Sequence, residues 1–189
     1  MTDQLPTPYH NTDFRLDVPD GDDRLRRICN RCSFVDYVNP KIVTGAVVIK
    51  DEHILICRRA IEPRKGFWTL PAGFMEEGES VEEGAIREAR EEAMAEIRID
   101  ALLGVYSVPR ISQVQIMFRA HLLSDIAPGP ESLEVKLVPW REIPWSQMAF
   151  PTAIWALTHY AQTRNQEVFV PFGNPPGTEK VTRQSLQLP

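Results

Sequence analysis

From residue 42 onward the chain alternates between short apolar or β-branched runs and polar breaks, whereas residues 1–40 are polar and rich in turns. Runs at 42–50 and 53–60, joined by Asp51-Glu52, predict a pair of strands. Residues 62–70, with Pro63, Gly66 and two aromatics, read as a loop. Ser80 followed three positions later by Glu83 is a capping box and predicts a helix starting near Val81. Ala85, Ile86, Ala89 and Ala93 give that helix an apolar stripe beside a strongly acidic face. Two more strands are predicted at 102–108 and 113–123. In the second, Val114, Ile116, Phe118, Ala120 and Leu122 alternate with Gln113, Gln115, Arg119 and His121. Ala127-Pro128-Gly129-Pro130 is a loop leading into a short strand at 131–138, and 150–163 reads as a helix with Ile154, Leu157 and Ala161 on one side. The expected organisation is an N-terminal appendage over 1–40, an α/β domain over 41–165 and a Pro-rich, partly extended tail over 166–189.

Composition narrows the function classes. The chain has 189 residues, 43% hydrophobic and 25% charged, with a net charge of −5 and a pI near 5.4. That is enough for one buried domain with an appendage. An acidic chain with no Lys/Arg block is a poor nucleic-acid binder, so no nucleic-acid partner is expected. No apolar run approaches the ~20 residues that span a bilayer, and the first residues lack a basic-then-apolar signal, so no membrane partner is expected. Three cysteines in such a chain point to a reducing, cytoplasmic setting without a disulfide framework.

The candidate chemistry lies between Gly73 and Ala95, in the run GFMEEGESVEEGAIREAREEAMA. Glu88, Glu91 and Glu92 fall on one face of the predicted helix. Three neighbouring carboxylates repel one another and raise each other's pKa values unless a cation sits among them. Hard divalent ions take oxygen ligands of this kind, with substrate phosphates completing the shell. A Glu-rich helix is more often a solvated face. Here the order Gly, five residues, Glu, seven residues, Arg-Glu-x-x-Glu-Glu argues otherwise. With Glu at roughly a tenth of residues, six such positions match by accident in fewer than about one chain in ten thousand.

This run, with the lead-in Gly66-Phe67-Trp68-Thr69-Leu70-Pro71-Ala72-Gly73, resembles the signature box of the Nudix hydrolases, which cleave a nucleoside diphosphate linked to another moiety. The resemblance implies an α/β/α sandwich with a mixed sheet, and a homodimer. It also implies that Glu88, Glu91, Glu92 and the carbonyl of Ala72 ligate two or three Mg²⁺ or Mn²⁺ ions. Arg87 and Glu79 would form an ion pair holding the loop onto the helix, and Gly73 would supply a backbone geometry that a Cβ resists. Met94 stands where the family usually has a glycine in the left-handed conformation, so the helix end is expected to differ slightly.

Hydrolysis of a phosphoanhydride needs a carboxylate to take a proton from water. Candidates are Glu91, Glu92 and, in the loop Pro130-Glu131-Ser132-Leu133-Glu134, Glu134 in preference to Glu131. Arg64 and Arg110 are candidates to meet phosphate or substrate, with Arg58, Arg59 and Gln113 behind them. Trp68 and Phe67 would either stack an adenine or flavin ring or serve as buried anchors. Cys57, amid Ile54-Leu55-Ile56, reads as a buried small hydrophobe, and His53, His121 and His159 as surface or packing residues. Cys29 and Cys32 form a C-x2-C knuckle, with His10 as the one further group able to coordinate. This is a degenerate zinc ribbon short of ligands, and a structural zinc is not expected. The knuckle, the run Cys57-Arg58-Arg59-Ala60-Ile61-Glu62-Pro63 and the 128–134 loop resemble Nudix proteins regarded as ADP-ribose or FAD pyrophosphatases. The implied function is metal-dependent cleavage of ADP-ribose, FAD or an NAD(H)-like nucleotide, releasing AMP. The alternatives are a nucleoside-triphosphate house-cleaning pyrophosphatase and a Nudix-fold ligand sensor that does not hydrolyse.

Overall fold

The computed structural model describes residues 13–178. The chain divides into two compact units, Met1–Asn39 and Pro40–Pro189. In the first, β1 (Phe14–Asp17), β2 (Arg26–Cys29) and β3 (Val35–Asp36) form a small antiparallel sheet in that order. Asp22 closes the β1–β2 connection by accepting a 2.9 Å hydrogen bond from Arg26. Cys29 and Cys32 are both free thiols, and backbone hydrogen bonds from Arg31 and Cys32 lower the pKa of Cys29. His10 lies outside the described residues.

The second unit is built on a mixed sheet. Its strands are β4 (Lys41–Lys50), β5 (His53–Arg59), β6 (Trp68–Thr69), β7 (Ala72–Phe74), β8 (Ile97–Val108), β9 (Gln113–Leu122) and β10 (Ser132–Pro139). The main order is β10-β5-β4-β9-β8, with β6 paired to β5 and β7 to β4. The β4–β9 pair is parallel and the other pairs are antiparallel. Helix α1 (Val81–Ala93) packs on one face and α2 (Pro151–Thr163) contributes to the other.

The period-2 alternation of β4 divides the core. Ala46 and Val48 join Leu55, Phe118, Ala120 and the α1 alanines 85, 89 and 93; Val47 and Ile49 join Ile54, Ile56, Leu103 and Leu157 of α2. Both sheet faces are therefore covered, giving the expected α/β/α sandwich. The alanine stripe lets α1 approach the sheet closely, and Thr44 Oγ donates a 2.7 Å hydrogen bond to the Val81 carbonyl at the helix start.

Two sequence expectations are revised. β8 begins at Ile97 rather than near 102, because two bulges interrupt its register with β9 and hide the alternation. Met94 takes the left-handed conformation itself (φ 51°, ψ 26°), so the helix end keeps that form without a glycine. Bonds from its N–H to the Ala89 and Arg90 carbonyls hold it there, and its side chain remains largely exposed. Within the C-terminal tail, Phe172 pairs with the free edge of β8, donating to Leu103 O and accepting from Val105 N–H, both at 2.9 Å. No described helix is long and apolar enough to cross a membrane.

Candidate active site

The acidic face of α1 owes its position to both helix ends. At the start the capping box closes reciprocally: Glu83 N–H donates to Ser80 Oγ at 3.2 Å, and Ser80 N–H donates to Glu83 Oε2 at 2.7 Å. At the other end, the carbonyls of Glu92 and Ala93 accept hydrogen bonds from Gly129 N–H (3.1 Å) and Ala127 N–H (3.0 Å). The 127–130 loop thus satisfies carbonyls that the helix cannot. A Cβ at Gly129 would collide with the Glu91 carbonyl, so a glycine is required for this approach.

Arg87 organises the surrounding carboxylates. Its Nε and Nη2 grip Glu79 at 3.0 and 2.9 Å, its Nη1 bridges Glu88 (2.8 Å) and Glu91 (2.9 Å), and Nη2 also reaches the Phe74 carbonyl. The Arg87 hydrogen bonds draw the Glu79 carboxyl down to about 2, helped by a backbone bond from Glu76, and the guanidinium pKa rises. Gly73 lies under Glu88, where any Cβ would strike the carboxylate.

Glu92 is the exceptional group. It is 6% exposed, and its Oε2 has no hydrogen-bond partner. Its pKa rises to about 8, through burial first and then the Glu88 charge, with Arg59 and a bond from the Ala72 backbone opposing the rise. Glu88 is raised too, by burial first, with Arg87 pulling it back and Glu91 and Glu131 adding to the rise. Behind Glu92, the Cys57 thiol is buried and pushed up by burial and then by the Glu92 charge, consistent with an inert packing role.

These groups open onto a cavity of about 1400 Å³. Glu88, Glu91, Glu92 and Glu131 form its acidic wall, and Arg59 lies beside them. Among the described residues no three His, Cys, Asp or Glu side chains converge in a geometry ready to enclose a metal ion, and Arg87 engages both Glu88 and Glu91. The donor chemistry nevertheless fits a hard divalent cation: three carboxylates on consecutive turns, with one buried oxygen lacking any partner.

Residues 39–160 match the NUDIX domain family. The chain belongs to the Nudix hydrolase family. A crystal structure of a Nudix hydrolase from Nitrosomonas europaea is 44% identical, with a TM-score of 0.80, covering 85% of this chain and 92% of that one. The ADP-ribose pyrophosphatase of Methanocaldococcus jannaschii is 33% identical over 113 residues, which is 57% of this chain and 67% of that protein. A putative 8-oxo-dGTP diphosphatase of Bacillus subtilis is 34% identical over 99 residues, 50% of this chain and 64% of that protein.

In this Nudix chain several candidate residues stand together and others do not. Ala72, Gly73, Glu88, Glu91, Glu92, Arg87 and Arg110 line the cavity. Trp68 does not: it is 7% exposed in the α2-side core, with the Lys136 ammonium 5.3 Å from its ring centre. Arg64 lies over the Phe67 ring rather than on the cavity wall. Glu134 points to Lys136 (2.6 Å) and Arg58 (3.8 Å) on the β10–β5 ladder, whereas Glu131 faces the cavity. The β-bulge between Ser132 and Glu134 breaks the alternation that would have related the two acids. Arg59 also outranks Arg64, and here a sequence signal exists. Leu55 and Cys57 face α1, so the period of two puts Arg59 on that same face and Arg58 on the opposite one. Trp155 on α2 lines the cavity without having stood out in the sequence.

Proposed function

We propose that this protein is a divalent-metal-dependent hydrolase that cleaves the pyrophosphate bond of ADP-ribose, or of a similar two-part nucleotide such as FAD or NADH, releasing AMP. The observation that carries this reading is the buried, partnerless Oε2 of Glu92 on the wall of the cavity. An ionised carboxylate in that position is unfavourable unless a cation joins it. Glu88, Glu91, Glu92 and the Ala72 carbonyl would hold Mg²⁺ or Mn²⁺. When bound, such ions neutralise phosphate oxygens and acidify water for attack at phosphorus.

The chain's own residues supply the remaining parts. Glu131 is the best-placed proton acceptor, since it faces the cavity while Glu91 is already engaged by Arg87. Arg59, beside Glu92, offers a cation to a phosphate oxygen. Arg87 holds Glu79 and the Phe74 carbonyl, so the loop before the helix is tied down before substrate arrives, while its bonds to Glu88 and Glu91 would give way to a metal. The cavity exceeds the roughly 300–1,000 Å³ usual for a single small ligand, consistent with a substrate of two joined halves. Similarity to an ADP-ribose pyrophosphatase supports the choice of ADP-ribose.

A second reading, hydrolysis of a nucleoside triphosphate, is favoured by the likeness to a putative 8-oxo-dGTP diphosphatase. Products separate the two. Incubation with Mg²⁺ and ADP-ribose, FAD, NADH or dGTP is expected to give AMP plus a phosphorylated second half from one of the first three. Pyrophosphate plus a monophosphate from dGTP alone would favour the second reading. No turnover with any divalent metal would favour a ligand sensor.

A further inference from the structure

The segment 169–178 lies C-terminal to the family match at 39–160, yet it is tied to the walls of the catalytic cavity. Its main chain pairs with the β8 edge at Phe172. Two residues on, the Asn174 side chain closes on Ser107 from both sides. Oδ1 accepts from Ser107 N–H and Nδ2 donates to Ser107 O, each at 2.8 Å. Ser107 lines the cavity and leads directly into the 3-10 turn Pro109–Ile111 that presents Arg110 to it. The far side of this turn is held separately, by Lys41 N–H on the Ser112 carbonyl at 2.9 Å.

A second line of contacts runs from the same segment to another wall. The Phe172 ring stacks on His159 at 4.1 Å and 7°. His159 Nδ1 is hydrogen-bonded to the Tyr106 hydroxyl at 2.8 Å, and the Tyr106 ring meets Trp155 edge-on at 5.7 Å. Trp155 lines the cavity, and Thr178 at the end of the segment lines it too. Gly104 makes the docking possible, because a Cβ there would lie 2.9 Å from the Phe172 carbonyl oxygen.

We infer that residues 169–178 form a strap that shapes the part of the cavity away from the carboxylates, and that Asn174 is a positioning residue for the substrate half bound there. The strap touches none of Glu88, Glu91, Glu92 or Glu131 in the described contacts, so it acts on substrate fit and not on the hydrolytic step. The inference rests on the proposed pyrophosphatase reading.

The test compares the full chain with Asn174→Ala and Gly104→Ala in steady-state hydrolysis of ADP-ribose with Mg²⁺, alongside thermal melts. Loss of the paired Asn174 bonds is expected to raise KM at least about fivefold while kcat stays within about twofold. Asn174→Asp keeps the bond from Ser107 N–H but sets an acceptor oxygen against the Ser107 carbonyl; it serves if the alanine variants do not fold, and a rise in KM of similar size is expected. An unchanged KM in whichever variant folds, or a fall in kcat at constant KM, overturns the strap. Absence of turnover by the unaltered chain on ADP-ribose, FAD and NADH overturns the proposed function itself, and the strap with it.

Discussion

Glu92 carries an electrostatic load that the fold imposes on it. Burial first, then Glu88 and Glu131, lift its pKa from 4.5 to about 8, so the metal-free folded protein holds a proton that the unfolded chain has released. An acid raised in this way favours the folded state fully below its unfolded pKa, and that advantage is lost as pH rises toward the folded value. Metal-free protein is therefore expected to lose stability between about pH 4.5 and 8, by at most about 5 kcal/mol from this residue, while Glu92→Gln loses none of that share. Denaturant melts in EDTA across that range measure the difference, and parallel curves for the two proteins would contradict it. Glu79 behaves oppositely: Arg87 holds its carboxyl at about 2, so its contribution is full above about pH 4.5 and is lost as pH falls from there through about 2. At this scale the sequence was informative where residues share one helix, because a period of 3.6 puts Glu88, Glu91 and Glu92 together. It left Trp68 open, since its aromatic face suits a nucleotide as well as a core; the side chain is buried among the α2-side residues.

The key element is α1 together with the loop that closes its C-terminal end. Ser80 and Glu83 announced the helix start because a capping box is a local motif. The contact between Gly129 and the Glu91 carbonyl is long-range and left no local trace. That contact fixes the origin of the loop carrying Glu131. Gly129→Ala is expected to force the loop off the helix, lowering stability by about 1–3 kcal/mol and reducing kcat by about tenfold. Urea unfolding and initial rates check both; a variant with wild-type stability and kcat would mean that the loop does not position the acid. The bulges in β8 and at Ser132/Glu134 explain why strand boundaries and the choice between Glu131 and Glu134 were not legible. Each inserts a residue that shifts the inside–outside pattern by one.

In the Pro40–Pro189 unit, the sheet order brings together residues far apart in sequence. The neighbouring strands β5 and β4, with β7 paired to β4, carry Arg59 and Ala72 to the acidic helix, while β8 and α2 supply Arg110's turn and Trp155. The two covered sheet faces were implied by the family resemblance, and β4, apolar on both of its faces, feeds both cores. Hydrophobic alternation did not reveal which strand edge the C-terminal segment would cover, because that depends on Gly104 and Asn174, neither of which belongs to an apolar pattern. In the proposed reading the acidic wall acts as a whole, its carboxylates holding the cations that pyrophosphate cleavage needs. The most direct measurement is the rate of AMP release from ADP-ribose at saturating Mg²⁺ by Glu92→Gln and by the unaltered chain. A fall of at least about a hundredfold with the fold intact is predicted; a near-normal rate in the variant would contradict the account.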